Sequence, residues 1–463
     1  MGRSIGMDVH RTFAQIAVVE DGLCRDEGRI DVTPEALRAW ADSLEPDDEV
    51  ALEATGNSDA IAMLLTPRVS RVVVSNPKKT RAIAEAKVKT DKVDARILAQ
   101  LLAADFLPPV WLPDDRTRRL RRMVARRTHL VRQRTRLKNQ VHAVLARNLA
   151  PTCPVSDLFG NAGRHWLSQQ ALPIDEQRSV EALVRQLDFH GDELQIVDRD
   201  LAIEALNDPV VARLMTIPGI DAIVAMSIVA AVGDFTRFPS PDRLVSYMGL
   251  NPKVRQSGAA PASHGRITKA GRAHARGMLV EAAWSAARAP GPLRGFYKRI
   301  NARRGFQVAV VATARKLTVL CWHLATKDQD YAFARPALKA HKRRKLELTA
   351  GASRAHGRRG ADFDYNNKQF RRHERDLVEQ AERAYETLVP TGNPTDPLPE
   401  VDDFIRRVHE LAELDRELEE RHELAPGGLP GGDHRRVRVP PRVGEFVEPG
   451  PGGLRRGRCI DLP

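Results

Sequence analysis

Ser4-Ile5-Gly6-Met7-Asp8 reads as a short apolar strand that ends on an acid, and the elements that follow it decide the fold. Thr12 to Val19 forms a second strand closed by the turn Asp21-Gly22, and Cys24 to Val32 a third. Thr33 then caps a helix with Pro34 at its first position, and Leu37, Trp40 and Leu44 supply its buried face. Glu49 to Glu53 is a fourth strand, Asp59 to Leu65 a helix and Arg71 to Val74 a fifth strand. Helical sequence continues from Lys79 to Ala104.

Three strands in a meander, then helix, strand, helix, strand, helix, is the order of a ribonuclease-H-like α/β domain, although other mixed sheets accept the same string. In the ribonuclease-H-like arrangement the first and fourth strands are neighbours and the last helix crosses their ends. Asp8 closes the first strand and Glu53 the fourth, while Asp91 and Asp94 lie one helical turn apart on one face. Four carboxylates would then converge, and their mutual repulsion calls for a cation. Oxygen ligands suit Mg²⁺, and a pair of such ions can clamp both sides of a phosphodiester. Singly, each acid also has a plain reading: a strand-end turn former, a helix cap, or an ion-pair face among Lys87, Lys89 and Lys92.

The 463 residues suffice for two or three domains. Lysine and arginine number 73 against 60 acids, a net charge of +13, which points to a polyanionic partner. No apolar run is expected to reach transmembrane length, and no signal-peptide core precedes the first acid, so no membrane partner is expected. Cys24, Cys153, Cys321 and Cys459 are scattered without metal-ligand spacing, and the protein reads as soluble and cytoplasmic.

Arg116 to Arg147 holds twelve basic residues and no acid, with Leu120, Val124, Leu130, Leu137, Val141 and Val144 at helical spacing. One face can pack while Arg119, Arg122, Arg126, Arg134 and Lys138 offer cations to phosphates, with no interleaved glutamate to neutralise them. A second heptad-like run, Val180 to Leu201, pairs with the first as an antiparallel coiled-coil arm suited to dimerisation, or as a plain helical core. Ile217-Pro218-Gly219-Ile220 before an apolar helix has the form of a helix-hairpin-helix turn, but Asp221 stands where glycine is usual and would repel a phosphate. Lys253 to Arg276 contains no acid and carries Arg255, Lys269 and Arg272 around Ser257-Gly258. Ser257 reads either as a nucleophile toward a DNA phosphodiester or as a turn residue in a loop that grips nucleic acid.

Taken in order, Gly6-Met7-Asp8-Val9-His10, Glu53-Ala54-Thr55-Gly56, Lys89-Thr90-Asp91-Lys92-Val93-Asp94, Ile217-Pro218-Gly219-Ile220, Gly233-Asp234-Phe235-Thr236-Arg237-Phe238 and Tyr247 to Pro252 running into Gln256-Ser257-Gly258 resemble transposases of the insertion-sequence-one-ten type, the group related to the Piv pilin-gene invertase. The resemblance covers about residues 4 to 325. It implies a RuvC-like domain over 1–110 whose Asp8, Glu53, Asp91 and Asp94 bind Mg²⁺, a basic coiled-coil linker over 111–206, and a helical transposase domain over 207–330 with Ser257 as nucleophile. It further implies donor and target DNA as partners, a site assembled across a dimer or tetramer, and, as in characterised relatives, a structured guide RNA. The mechanism expected is Mg²⁺-dependent strand exchange through a covalent serine–DNA intermediate. The competing expectations are a metal-dependent, junction-resolvase-like nuclease without serine chemistry and a non-catalytic nucleic-acid-binding protein. Residues 331–463 read as a charged, partly disordered extension, with charge-rich helices at Phe370 to Leu388 and Asp402 to Leu424 and a Gly-, Pro- and Arg-rich end from Pro426.

Overall fold

The strands are fixed by alternation. In β1 (Ser4–Val9) the residues Ile5, Met7 and Val9 are buried together, so Gly6 and Asp8 belong to the opposite face. β1 continues into β2 (Phe13–Glu20) and β3 (Leu23–Asp31), which form an antiparallel meander. The connecting Asp21-Gly22 has positive φ at both positions, the backbone that a two-residue hairpin needs. After α1 (Pro34–Ala41), β4 (Glu49–Glu53) pairs parallel with β1. After α2 (Ser58–Leu65), β5 (Arg71–Ser75) pairs parallel with β4. The sheet order β3-β2-β1-β4-β5 is ribonuclease-H-like. α3 (Pro77–Ile83) and α4 (Asp91–Ala103) complete the domain. One face of the sheet buries Ile5, Met7, Ile16, Leu52, Ile61 and Leu65. The other packs Ala51 and Val73 against Leu98 and Leu102 of α4. This computed structural model describes residues 2–83, 90–258, 261–353 and 368–388.

An all-α region follows. α5 (Asp115–Arg147) and α7 (Ile174–Leu206), with α6 (Asn161–Ser168) between them, pack as a pair that buries Leu120, Leu130, Leu137 and Val141 with Leu187, Leu194, Val197 and Leu201. The expectation of an unneutralised arginine stripe is corrected here. Acids of and just after α7 pair with it: Asp208 with Arg116, Glu204 with Arg119, Glu193 with Arg126, Asp198 with Arg127 and Glu176 with Arg147.

α8 (Pro209–Leu214), α9 (Ala222–Val232) and α10 (Pro241–Tyr247) precede a small hairpin, β6 (Pro252–Arg255) and β7 (Ser263–Ile267). α11 (Ala273–Arg288), α12 (Pro292–Arg304) and α13 (Phe306–Lys327) then pack together, with α13 against α10. Contrary to the expectation that no apolar run reaches membrane-spanning length, α13 is long and apolar enough by length and composition. It is the core helix of this bundle, burying Ala309, Thr313, Leu317, Leu320, Cys321 and Leu324. α14 (Pro336–Thr349) and α15 (Lys368–Leu388) are tied to the bundle. Glu382 of α15, almost fully buried, accepts from the Gly291 backbone N–H at 3.0 Å and pairs with Arg294 and Lys298. The expected helix at Asp402 to Leu424 and the segment from Pro426 lie outside the described residues.

Candidate metal centre

The site grows from the register of two strands. Met7 of β1 faces Leu52 of β4 as the last paired residues, so Asp8 and Glu53 come next on adjacent strand ends. Alternation places Asp8 with Gly6, and Glu53 with Ala51, on the side that α4 covers. The helix lies very close there: a Cβ added at Gly6 would stand 2.1 Å from the Ala95 carbonyl oxygen and 2.5 Å from the Ala99 nitrogen. Glycine is therefore what allows α4 to bring its first turn, with Asp91 and Asp94, over the end of β1. Thr90 caps that turn by accepting from the Val93 N–H at 3.3 Å.

Sequence reasoning missed one member. His10 sits two residues beyond Asp8, in the turn between β1 and β2 where its N–H donates to the Phe13 carbonyl at 2.9 Å. Its ring stacks on Phe13, with centroids 4.7 Å apart. Nε2 of His10 lies 3.3 Å from Asp8 Oδ2 and 3.3 Å from Asp91 Oδ1. Arg29, stacked over the same Phe13 ring, donates to Asp91 Oδ2 at 3.3 Å. The only sequence signal was the placement of an imidazole just past a strand-end acid.

Asp8, His10 and Asp91 each offer a ligand atom, and these atoms lie within 4.8 Å of one another. Burial pushes the Asp8 carboxyl above the usual carboxylate range; His10 opposes this, and the charges of Asp94 and Asp91 add to it. Two carboxylates and an imidazole, half-buried and electrostatically coupled to a third acid, form a divalent-metal site.

The expected nucleic-acid residues are more dispersed. Arg119 and Arg126 are in the ion pairs already described, whereas Arg122 is exposed. Nε of Arg134 is buried without a hydrogen-bond partner among the described residues, and Lys138 lies 4.8 Å over the Phe159 ring. Arg255 is exposed on the β6–β7 hairpin, Lys269 is exposed with φ 55°, and Arg272 donates from Nε to the Tyr247 hydroxyl at 2.8 Å. At the expected helix-hairpin-helix turn, Asp221 is itself the cap of α9 and accepts from Val224 N–H at 2.8 Å. The turn's carbonyls of Met215, Ile217 and Ile220 are filled by the Lys342 ammonium from α14 at 2.7, 2.9 and 2.8 Å.

A ribonuclease-H-like sheet with a metal-binding acidic cluster at the end of its first strand defines the class: a RuvC-like, metal-dependent enzyme acting on phosphodiesters. Two family models agree with that reading, one described as "Transposase", of the DEDD IS110 kind, over residues 5–148, and one described as "Transposase IS116/IS110/IS902 family" over residues 211–298. The chain is 29% identical over 292 residues to "Putative transposase y4qE" of Sinorhizobium fredii, covering 61% of this chain and 71% of that one. It is 27% identical over 288 residues to the pilin gene-inverting protein of Moraxella bovis (60% and 80%). It is 24% identical over 249 residues to the transposase for insertion sequence element IS1111A of Coxiella burnetii (52% and 68%). The chain belongs to the IS110 family of transposases, and its activity is that of a transposase or recombinase.

The serine-nucleophile mechanism expected from the sequence is corrected by these findings. The catalytic chemistry is that of the acidic Asp/His metal cluster within the matched DEDD region. Ser257 stands exposed beyond the end of β6, and among the described residues no hydrogen bond activates its hydroxyl and no ion pair joins its hairpin to the cluster. A serine hydroxyl without a base is a weak nucleophile.

Proposed function

We propose that this protein is a DNA transposase that cleaves phosphodiesters by nuclease-type, Mg²⁺-assisted chemistry at the cluster around Asp8. The observation that carries the reading is the meeting of Asp8 and Asp91, from elements far apart in sequence, on one imidazole. Asp8, Glu53, Asp91 and Asp94 would hold the metal, their oxygens being the donors Mg²⁺ prefers, with the His10 imidazole as a nitrogen donor beside Asp8 and Asp91. Bound there, Mg²⁺ would supply charge stabilisation to the reacting phosphate and activate water. The protein's own residues do the positioning: Gly6 admits α4, Thr90 fixes its first turn, and Arg29 holds Asp91.

Donor and target DNA are the proposed substrates, approached in the cytoplasm. Arg122, Arg134, Lys138, Arg255, Lys269 and Arg272 would contact backbone phosphates, with Arg119 and Arg126 contributing less because Glu204 and Glu193 already pair with them. A structured RNA would use the same kind of contacts, since phosphates carry no sequence. Residues 1–110 would act as the catalytic domain, 111–206 as the arm, 207–330 as the DNA-facing bundle and 331–463 as an accessory extension. Phe189, Ile196 and Ile203, exposed and seven residues apart on α7, support homo-oligomer formation through this arm.

The test is cleavage of DNA carrying the ends of the element, with and without Mg²⁺. Asp8→Asn and Asp91→Asn should each abolish the metal-dependent reaction while DNA binding persists. A covalent protein–DNA adduct accumulating in that reaction, or full activity in the two variants, would overturn the proposal.

A further inference from the structure

A row of alternating cations and aromatic rings lies where the first domain leads into α5. Trp111 has the Arg121 guanidinium 5.3 Å from its ring centroid and that of Arg237 4.2 Å away. Arg237 is also 4.6 Å from the Tyr247 ring, and Arg272 lies 5.8 Å from that same ring. The frame is tight, since a Cβ at Gly233 would meet the Trp111 ring at 2.3 Å.

Part of this charge has a structural use. Arg121 donates to the Ala230 and Ala231 carbonyls, Arg237 Nε to Val232, and the Tyr247 hydroxyl to Ala231, closing the C-terminal end of α9. A helix end carries about −0.5 charge, so three guanidiniums leave an excess of about +2.5. Asp59 and Asp234 lie within electrostatic reach, yet among the described residues neither forms an ion pair with the row. Asp234 Oδ1 instead accepts from Thr236 N–H and Oγ. Burial, together with Arg272, pushes the Arg121 and Arg237 guanidiniums below their usual range. Nη2 of Arg237 is buried without a hydrogen bond of good geometry among the described residues, the Tyr247 hydroxyl being the polar group that favours its charge. A buried guanidinium nitrogen left unpaired is costly, and an anion with several acceptor oxygens is what satisfies it.

We propose that Arg237 and Arg272, framed by Trp111 and Tyr247 and backed by Arg121, form a subsite for a phosphate of the DNA backbone, separate from the residues of the metal centre. It rests on the transposase reading and extends it: the start of the arm and α9–α11 would share one backbone contact that sets where the duplex lies. Arg272 and Arg237 would supply their unspent Nη donors to the phosphoryl oxygens, and the rings would hold the forks in place.

The experiment measures duplex DNA affinity against salt concentration for the full chain and for Arg237→Gln and Arg272→Gln, in chelator. Each variant should lower the slope of log K against log salt by about 0.9, the value for one lost phosphate contact. Thermal unfolding supplies a folding control and a second arm: inorganic phosphate should raise the wild-type melting temperature and leave that of the variants unmoved. If Arg237→Gln does not fold, Arg272→Gln carries the test. Unchanged slopes overturn the proposal, and protection by inorganic phosphate with unchanged slopes also overturns it, by making free phosphate the ligand. Asp8→Asn read by cleavage in Mg²⁺ tests the transposase reading separately, so the two failures are distinguishable.

Discussion

Gly6→Ala is the smallest change that tests how the metal centre is assembled. Its added Cβ would stand 2.1 Å from the Ala95 carbonyl oxygen, where ordinary contact begins at 3.4 Å, so strand and helix must part by about 1.3 Å. β1 has no room to give, because Ile5 and Met7 behind it are almost fully buried against Leu52 and Ile61. α4 therefore moves, and Asp91 and Asp94 move with it while Asp8 and His10 stay. Overpacking of this kind costs about 1–3 kcal/mol. The effect on chemistry is larger, since a displacement of about 1 Å in a positioned group costs roughly 10²-fold in rate. Cleavage in Mg²⁺ should fall about a hundredfold and calorimetric metal affinity should weaken, at a temperature where unfolding shows the variant still folded. Gly191→Ala, in the interior of α7 with open space around it, is the control and should be neutral or slightly stabilising. Wild-type cleavage and metal affinity in Gly6→Ala would refute the claim that this close approach positions the acids.

Three further outcomes follow from side chains with defined partners. Burial pushes the Lys342 ammonium from 10.5 to about 8, so between those values the unfolded chain binds more protons and stability should rise with pH; Lys342→Met should flatten that part of the profile in thermal unfolding. Glu382→Ala leaves Arg294 and Lys298 facing each other without their acid and should cost about 3 kcal/mol by denaturant unfolding, the low end for a buried pair because Lys298 is 54% exposed. Arg122→Gln should lower the salt slope of DNA binding by about 0.9, and Arg126→Gln by clearly less because Glu193 already neutralises it; equal effects would remove the distinction.

The sheet was legible because its signals are local. Alternation in β1, the Asp21-Gly22 turn and the Thr33-Pro34 helix start each act within a few residues, and together they leave few ways to order the strands. The acids were legible as strand-end and first-turn residues for the same reason. What stayed hidden was set by distant partners. Arg116 meets an acid 92 positions away, so a stripe without internal glutamate looked unneutralised. Lys342, one of a run of surface-like cations, is drawn into a turn more than 120 positions back by three carbonyls. His10 joined the acids only through the closure of the β1–β2 turn, and α13 hid its apolar face against helices whose packing around it no local pattern specifies.

The same electrostatics bear on the order of events at the metal centre. The chain carries a net charge of +13, yet the face that must receive the reacting phosphate presents Asp8, Asp91 and Asp94, close enough that the latter two raise the Asp8 carboxyl. Among the described residues the His10 imidazole touches Asp8 and Asp91 and the Arg29 guanidinium touches Asp91, and Arg29 is 57% exposed, so its charge screens the acids only in part. A phosphate brought within about 4 Å of one uncompensated carboxylate meets a repulsion of about 4 kcal/mol at an effective dielectric of about 20. Divalent cations and DNA should therefore bind this face cooperatively, with a coupling of about 1–3 kcal/mol that holds equally for either ligand added first. At matched ionic strength, duplex affinity should be about 5- to 150-fold higher in Mg²⁺ than in chelator. Asp8→Asn with Asp91→Asn should remove most of that difference by raising the affinity in chelator toward the wild-type value in Mg²⁺. Equal affinities in the two buffers for the wild-type chain would mean that the duplex does not reach the acids, and the metal centre would lose its place as the site of cleavage.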